Sequence, residues 1–341
     1  MVLIDALYIN NGGGKILLDY LVCELEKSGK EVFYLLDKRV ENKVPEIKTN
    51  KVAFLKATLL ARNDFYKNYQ HSFSSILCFG NLPPNIRTSA KVYTYFHQLL
   101  YLHLPKDMTL KQKIVYTLKQ KMVNHLKKNT DFWLVQSSLV KNGLVKKYGI
   151  ASDKILELPF YPPFENPVSS QKFPNSYLYV SNANPHKNHG RLIEAFSKFY
   201  EKHNKGVLTL TVSDDFTELV NLIQTKQKKG IPIKNIGFVP RQNLQKLYAE
   251  SEFLIFPSLT ESFGLGLVEA IESNCKVIGA DLPYTYQVCE PSLTFDAFNI
   301  DSIKKAIITA SSQDLPLSKK IINNDTNTFS FTEFIPLIFI L

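Results

Sequence analysis

The chain has 341 residues, which is more than one hydrophobic core usually organises and which predicts two domains. Hydrophobic residues make up 45% of the chain and charged residues 21%, a composition that excludes a disordered or fibrous protein. No apolar run reaches the roughly 18–20 residues that span a bilayer. The four cysteines are scattered without a CxxC pair, so neither a disulfide framework nor a zinc site is predicted, and a cytoplasmic location is expected.

The net charge of +10 lies in the first half of the chain. Residues 1–165 hold 24 Lys and Arg against 14 Asp and Glu, whereas the remaining residues hold 17 of each. A basic half favours an anionic partner, for which nucleic acid and an acidic lipid surface are two candidates. A solvated basic face is the third interpretation.

In chain order, the first half alternates β-branched and aromatic runs with helical patterns. Strands are predicted at residues 2–9, 31–37, 51–56, 75–79, 91–97 and 131–137, and helices at 15–28, 111–128 and 139–148. The apolar start has no basic lead-in and no small-residue cleavage site, so we interpret it as a first strand and not as a signal peptide. The alternation predicts a parallel sheet covered on both faces.

A proline-rich passage separates the two halves, because proline fixes φ and removes a backbone donor. Its prolines are Pro159, Pro162, Pro163, Pro167 and Pro174. We place the linker among them and predict an N-terminal domain at 1–165 and a C-terminal domain at 166–341. In the second half, strands are predicted at 177–181, 207–212, 235–239, 253–257 and 276–280, and helices at 189–200, 216–226, 244–251 and 264–273. Two α/β domains with a cleft between them are expected, with ligands outside the carboxyl ends of the strands.

The most informative segment is residues 253–279, FLIFPSLTESFGLGLVEAIESNCKVIG. A buried strand is followed by a loop with Glu261 and a helix with Glu269, and seven residues separate the two glutamates. The amides of the loop-to-helix junction favour an anion, because the first N–H groups of a helix have no intrahelical acceptor. The junction residues are Ser262, Phe263, Gly264 and Leu265.

This segment resembles the family 4 ("group 1") retaining glycosyltransferases of the GT-B fold, whose hallmark is such a Glu-x7-Glu loop and helix. The resemblance implies two Rossmann-like domains and a nucleotide-sugar donor. By the family pattern, Glu269 hydrogen-bonds the ribose hydroxyls and Glu261 lies by the donor sugar. The amides of residues 262–265 hold sugar hydroxyls or phosphate.

A second match to this family is SNANPHKNHGRLIEAF at residues 181–196. Lys187 lies in a turn between a strand and a helix, where an ammonium can neutralise a diphosphate leaving group. Family members commonly place arginine five residues earlier, where this chain has Asn182, and we count Asn182 among the predicted donor-binding residues. The segment KNIGFV at 234–239 matches the strand on which the family's nucleobase packs.

The N-terminal half offers two further candidate groups. A glycine turn with Gly13 and Gly14 follows the first strand and leads into a helix, where phosphate or sugar hydroxyls can bind. It is neither GxGxxG nor a Walker A motif, which argues against a dehydrogenase or a P-loop protein. His97 ends a strand where the family often places a histidine near the donor sugar, and it is predicted as catalytic together with Glu261 and Lys187.

Residues 110–128, LKQKIVYTLKQKMVNHLKK, form a basic amphipathic pattern. Apolar residues recur every four positions at Leu110, Ile114, Leu118, Met122 and Leu126, with lysines on both sides. Such a helix can lie on an anionic bilayer surface, or its stripe can pack on the domain core with the lysines in water. We favour core packing for the stripe itself.

The resemblance implies a glycosyltransferase that moves a sugar from a nucleoside-diphosphate sugar to a glycan or lipid-linked acceptor, in surface polysaccharide synthesis, with retention of configuration. No metal or cofactor is implied, because no DxD motif is apparent. Partners are the donor, the acceptor and an anionic membrane surface contacted from the cytoplasm, and nucleic acid is not expected because no nucleic-acid motif is visible. The alternatives are a nucleotide-sugar epimerase and a catalytically silent subunit of a glycan-assembly complex. The apolar segment 329–341 departs from the family's usual terminal helix, and truncation, unusual packing and membrane contact stay open for it.

Overall fold

A computed structural model of the chain describes residues 1–104, 108–164 and 170–321, which divide into two compact units. Unit 1 runs from Met1 to Pro162, and unit 2 begins at Pro163. The sequence predicts this boundary after residue 165. The C-terminal segment 329–341, whose packing the sequence left open, lies outside the described residues.

Unit 1 has seven strands and four α-helices among its described residues. The strands are β1 (Val2–Ala6), β2 (Val32–Asp37), β3 (Lys51–Leu55), β4 (Ser75–Cys78), β5 (Lys91–Phe96), β6 (Phe132–Val135) and β7 (Ile155–Glu157). The helices are α1 (Gly12–Ser28), α2 (Leu59–Tyr69), α3 (Leu110–Leu126) and α4 (Ser138–Tyr148).

The strands of unit 1 form one parallel sheet in the order β3-β2-β1-β4-β5-β6-β7. Strand β1 is buried along its whole length, as expected for a central strand covered on both faces. The chain leaves β1 towards β2 and β3 and later returns to the other side of β1 with β4. The loops after β1 and β4 are therefore neighbours at the carboxyl edge, which is the usual ligand position in such sheets.

Unit 2 is built on the same plan. Its strands are β8 (Phe173–Tyr179), β9 (Val207–Leu210), β10 (Ile233–Asn235), β11 (Ser251–Phe256), β12 (Lys276–Ala280), β13 (Cys289–Glu290), β14 (Leu293–Phe295) and β15 (Lys319–Lys320). Its helices are α5 (His189–His203), α6 (Thr217–Lys228), α7 (Arg241–Glu250), α8 (Leu265–Glu272), α9 (Pro283–Val288) and α10 (Ile300–Ser312).

The main sheet of unit 2 is parallel in the order β10-β9-β8-β11-β12-β14. Strands β13 and β15 form a separate antiparallel pair. The strand order reverses between β8 and β11, so the loops after these two strands meet at the carboxyl edge. Helix α5 begins in one of these loops and packs Phe196 and Phe199 against Tyr177 of β8.

One local prediction is wrong, and among the helices of unit 1 α2 was missed. The strand predicted at 235–239 ends at Asn235, because Gly237 has a φ of +69°, which an extended strand does not allow. Phe238 beyond it is 79% exposed and not part of a buried strand. Helix α2 was not predicted, because its apolar period is weak and the only apolar side chains it buries are Phe65 and Tyr66.

The apolar stripe of helix α3 requires a further correction. We expected it to pack on the core, and its C-terminal part does so, since Leu126 is buried and Met122 packs against a core cluster. Leu110, Ile114 and Leu118 are instead 75%, 54% and 60% exposed. The stripe therefore splits into a buried C-terminal part and an exposed N-terminal part.

Candidate functional site

Lys187 and Glu261 form an ion pair in unit 2. Lys187 ends a single 3₁₀ turn after β8, and Glu261 lies in the loop that follows β11. The Lys187 Nζ lies 2.6 Å from Glu261 Oε1, and the two side chains are 16% and 13% exposed. Because β8 and β11 are adjacent, the sheet brings together two predicted site residues that are 74 positions apart in the sequence.

Hydrogen bonds to the backbone fix the turn that carries Lys187. Asn188 follows it in the left-handed region, with a φ of +64°. The Asn188 Nδ2 donates to the carbonyl of Pro257 at 3.0 Å, just after β11. The hydroxyl of Tyr179, at the end of β8, donates to the carbonyl of Lys187 at 2.8 Å. The turn is therefore attached to both strands from which the two site loops emerge.

Two histidines beside Lys187 are uncharged at neutral pH. Burial lowers the pKa of His186 to about 4 and that of His189 to about 3, and the positive charge of Lys187 contributes to both shifts. The His189 ring lies against Tyr179, with centroids 4.7 Å apart. Within residues 185–189 the positive charge at neutral pH therefore comes from Lys187, which can neutralise an anion. Asn182 is exposed in the loop that precedes this turn.

Glu269 is a buried carboxyl group on helix α8, only 4% exposed. Its Oε1 accepts from Arg241 Nε at 3.1 Å, and its Oε2 accepts from the Tyr248 hydroxyl at 3.2 Å. Burial raises the pKa of Glu269 to about 7, against the opposing effects of Arg241 and Tyr248. The group therefore changes its charge near neutral pH, as carboxyls in functional sites often do.

Arg241, at the start of helix α7, was not among the predicted site residues. Besides Glu269, its guanidinium lies 4.6 Å from the ring centroid of Phe164 and donates to the carbonyl of Pro163 at 3.4 Å. The predicted helix began at residue 244, so Arg241 was assigned to a loop. Pro240, next to Arg241, was the available signal, because proline is common around a helix start.

Helix α8 begins directly after the loop of Glu261, as predicted. Gly264 precedes the helix with a φ of +86°, a conformation that favours glycine, and Leu265 is its first residue. The Phe263 side chain is buried, and that of Ser262 is half-buried. The Leu267 N–H already donates to the carbonyl of Gly264 at 2.8 Å. The two amides before it, at Leu265 and Gly266, have no acceptor within the helix, which suits an anion or a hydroxyl. The donor-binding roles assigned to residues 262–265 stay predictions.

In unit 1 the structure brings Gly14 and His97 together. A Cβ atom on Gly14 would lie 2.8 Å from His97 Cε1, so the close approach requires a glycine. A Cβ atom on Gly13 would meet nothing within 4 Å. Gly14 lies in the first turn of α1, which follows β1, and His97 directly follows β5, so both are at the carboxyl edge of the sheet.

Asn81 holds His97 and was also not predicted. Asn81 has a φ of +68°, and its Oδ1 accepts from the His97 backbone N–H at 2.7 Å. The His97 Nε2 lies 3.4 Å from Asn81 Nδ2 and 3.3 Å from the carbonyl oxygen of Phe79. Burial lowers the pKa of His97 to about 4, so the ring is neutral at physiological pH. A Gly-Asn pair shortly before two prolines was the sequence signal for this turn.

Neither a metal cluster nor a membrane span occurs among the described residues. In that part of the chain, no group of three or more His, Cys, Asp or Glu side chains is placed to hold a metal ion. Across residues 1–104, 108–164 and 170–321, no helix has both the length and the apolar character of a membrane span. The expectation that the protein needs no metal stays a prediction.

A family and a curated relative match the second half of the chain. Residues 164–328 match the sequence family described as "Glycosyl transferases group 1". The O-antigen chain mannosyltransferase RfbU of Salmonella typhimurium is 26% identical over 155 residues, which are 46% of this chain and 43% of that protein. The chain thus spans less than half of the length of the curated relatives it matches first.

Solved structures match over nearly the whole chain. HepE of Anabaena in complex with UDP-glucose has a TM-score of 0.67 at 13% identity, covering 91% of this chain and 89% of HepE. WaaG, a glycosyltransferase involved in lipopolysaccharide biosynthesis, has a TM-score of 0.65 at 14% identity, covering 99% of both chains. These similarities confirm the predicted α/β class with two Rossmann-like domains of the GT-B fold. The segment 164–328, which is just under half of the chain, therefore matches the group 1 glycosyl transferases.

Proposed function

We propose that this protein is a retaining glycosyltransferase of the family 4 type. It transfers a sugar from a nucleoside-diphosphate sugar to a glycan or lipid-linked acceptor in surface polysaccharide synthesis. One observation carries the proposal: Lys187 and Glu261 are paired at the carboxyl edge of the second sheet, within the segment that matches the family. The relative in O-antigen synthesis and the UDP-glucose complex of HepE support the substrate classes.

The groups of unit 2 suit the donor. Glu269 accepts hydrogen bonds from the ribose hydroxyls, because a carboxylate offers acceptors and no donor. The amides at Gly264 and Leu265 bind sugar hydroxyls or phosphate. Lys187 stabilises the negative charge that develops on the leaving diphosphate. In the free protein this ammonium is paired with Glu261, so neither charge is buried without a partner.

The transfer breaks the bond between the anomeric carbon and the diphosphate oxygen and forms a bond from that carbon to the acceptor oxygen. The nucleoside diphosphate leaves with the bonding electron pair, and the acceptor hydroxyl gives its proton to an oxygen of this departing diphosphate. Glu261 orients the donor sugar for this exchange. We assign acceptor recognition to unit 1, where the neutral His97 ring can exchange hydrogen bonds with a hydroxyl. The proposed steps invoke no metal ion.

The first test identifies the donor. A ligand that binds the native state raises the melting temperature by mass action, so thermal-shift assays with UDP-, GDP- and ADP-sugars should single out one nucleotide. GDP-mannose and UDP-glucose belong in the set because of the mannosyltransferase relative and the HepE complex. Transfer to purified lipid-linked glycans is then assayed with and without EDTA. The NMR coupling constants of the product report its anomeric configuration.

The second test addresses the ion pair. We expect Lys187→Ala and Glu261→Ala each to lower the transfer rate by about 10²–10³, as for loss of one charge-stabilising group. Lys198→Ala, at an exposed position on α5, is the matched control and should transfer at the wild-type rate. Wild-type turnover by both site variants would refute the proposal. Conversion of the nucleotide-sugar without any acceptor would indicate an epimerase instead.

A further inference from the structure

The dipeptide Asn-Gly occurs twice in the chain, at residues 11–12 and 142–143. In this dipeptide the backbone nitrogen of glycine can attack the side-chain amide of asparagine, because glycine has no Cβ atom to hinder the approach. Asparagine is among the thermolabile residues of proteins. The residue after asparagine is the same in both pairs, so a difference in their reactivity reports the structure around each pair.

The first pair lies in the glycine turn that leads into helix α1. Both Asn11 and Gly12 are exposed. Asn11 has extended backbone, and its side chain makes no capping hydrogen bond to the helix, although asparagine often caps a helix from this position. Gly12 is the first residue of α1, so its backbone N–H has no acceptor within the helix. The two groups that would react are therefore open to water and to each other.

The second pair is held inside helix α4. Four residues or more of this helix lie on each side of Asn142, so the Gly143 N–H donates to a carbonyl one turn earlier. Attack by the Gly143 nitrogen would first require the loss of this helical hydrogen bond. Gly143 is also closely packed, because a Cβ atom on it would lie 2.5 Å from Leu102 Cδ1. Helix and packing together restrain the backbone at this pair.

We propose that Asn11 is a site of spontaneous deamidation and that the fold protects Asn142 from the same reaction. The Gly12 nitrogen loses its proton and bonds to the side-chain carbonyl carbon of Asn11. The side-chain NH₂ takes up a proton and leaves as ammonia, and a succinimide ring remains. Water then opens the ring at one of its two carbonyls, which gives aspartate or isoaspartate. Water is the only co-reactant.

Both products change the turn that contacts His97. Each carries a carboxylate in place of the neutral amide, and isoaspartate adds one carbon atom to the main chain. Gly14, at the end of this turn, approaches His97 so closely that a Cβ atom would lie 2.8 Å from its ring. A longer main chain just before this contact displaces it. The modification is independent of the proposed function, whereas its effect on transfer rests on the acceptor recognition proposed for His97.

Mass spectrometry of the aged full-length protein tests the proposal. The purified chain is kept at mildly alkaline pH and digested in mildly acidic buffer, in which the reaction is slow. We expect Asn11 to deamidate at least about tenfold faster than Asn142, the factor that corresponds to about 1.4 kcal/mol of protection by the helix. An isoaspartyl methyltransferase with a labelled methyl donor detects the isoaspartate product.

Two controls separate the fold from the local chemistry. In urea, where the helix is lost, the two Asn-Gly pairs should deamidate at similar rates. The matched variant is Asn11→Gln, because a glutamine side chain would have to close a larger ring, which forms more slowly. Its position 11 should stay unmodified while the wild type reacts. Transfer by the wild type should then fall as isoaspartate accumulates, and Asn11→Gln should keep its own initial rate.

Three outcomes would count against this assignment. Equal deamidation of Asn11 and Asn142 in the folded protein would overturn it, because the fold would then make no difference. An unmodified Asn11 in the folded protein, with reaction of both pairs in urea, would show that the turn is protected and would also overturn it. An equal loss of transfer by the wild type and Asn11→Gln would refute the effect on His97. Absence of transfer by the fresh protein would instead refute the proposed function and leave the mass-spectrometric result standing.

Discussion

Substituting Glu269 by glutamine examines the proposed ribose contact directly. The ionised carboxylate offers both of its oxygens as acceptors, whereas glutamine keeps one and turns an amide NH₂ towards Arg241 or Tyr248, which are themselves donors. A hydrogen bond to a charged group contributes about 1.5–3 kcal/mol, so loss of one ribose contact should weaken nucleotide binding by about 10–100-fold.

The size of this loss depends on pH. The raised pKa means that free Glu269 holds a proton up to about pH 7 and must release it to bind ribose as a carboxylate. Wild-type affinity should therefore rise about tenfold between about pH 6 and about pH 8, as the ionised fraction grows. Glu269→Gln cannot ionise, so its deficit should be largest at the higher pH and shrink on acidification.

Isothermal titration calorimetry with the nucleoside diphosphate of the identified donor measures both effects. The phosphate groups of the ligand titrate equally with either protein, so the difference between wild type and variant isolates Glu269. A 2′,3′-dideoxy nucleotide has no hydroxyl for the carboxylate and should bind both proteins equally. The ribose contact is ruled out if the variant binds like the wild type at every pH, or if it loses as much affinity for the dideoxy nucleotide.

Two further predictions concern the partner of Glu269 and the glycine turn of unit 1. Arg241→Ala should raise the pKa of Glu269 further, because the guanidinium favours the carboxylate, and the midpoint of the affinity curve should move to higher pH with Arg241→Lys in between; an unchanged midpoint in calorimetry would contradict this. Gly13→Ala should raise the free energy of unfolding in urea by up to about 1 kcal/mol, because alanine favours the helix. The free energy of unfolding of Gly14→Ala should be about 1–3 kcal/mol lower than that of Gly13→Ala, because the added methyl group would overlap the His97 ring. Equal free energies of unfolding for the two variants would show that the ring moves away at no cost.

Much of the fold could be predicted from local patterns. Apolar strands such as β1 and β12 are continuous in the sequence, and β12 has the predicted bounds. Weakly patterned elements could not be found in this way. Helix α2 buries a charged residue, Arg62, against Asp5, and this ion pair exists only because strand β1 lies beneath the helix. Polarity alone indicates exposure for both residues, and the structure buries both to 1% exposure.

The candidate site was predicted in part. Glu261, Glu269 and Lys187 stand in motifs that can be read locally, and the structure pairs Lys187 with Glu261. Their roles in transfer stay predictions. For Arg241 and Asn81 the local sequence signals only a helix start and a turn, and it does not indicate their partners Glu269 and His97, which lie in other segments.

The sequence by itself determined the two α/β halves and the loop-and-helix motif, because helical and strand periods and helix starts depend on neighbouring residues. Only the tertiary structure decided which loops meet, because that depends on strand order: placing β11 beside β8 joins two segments 74 residues apart. It also decided that the N-terminal part of the α3 stripe faces solvent, since the same four-residue period is produced by a face that packs on a core and by a face that does not.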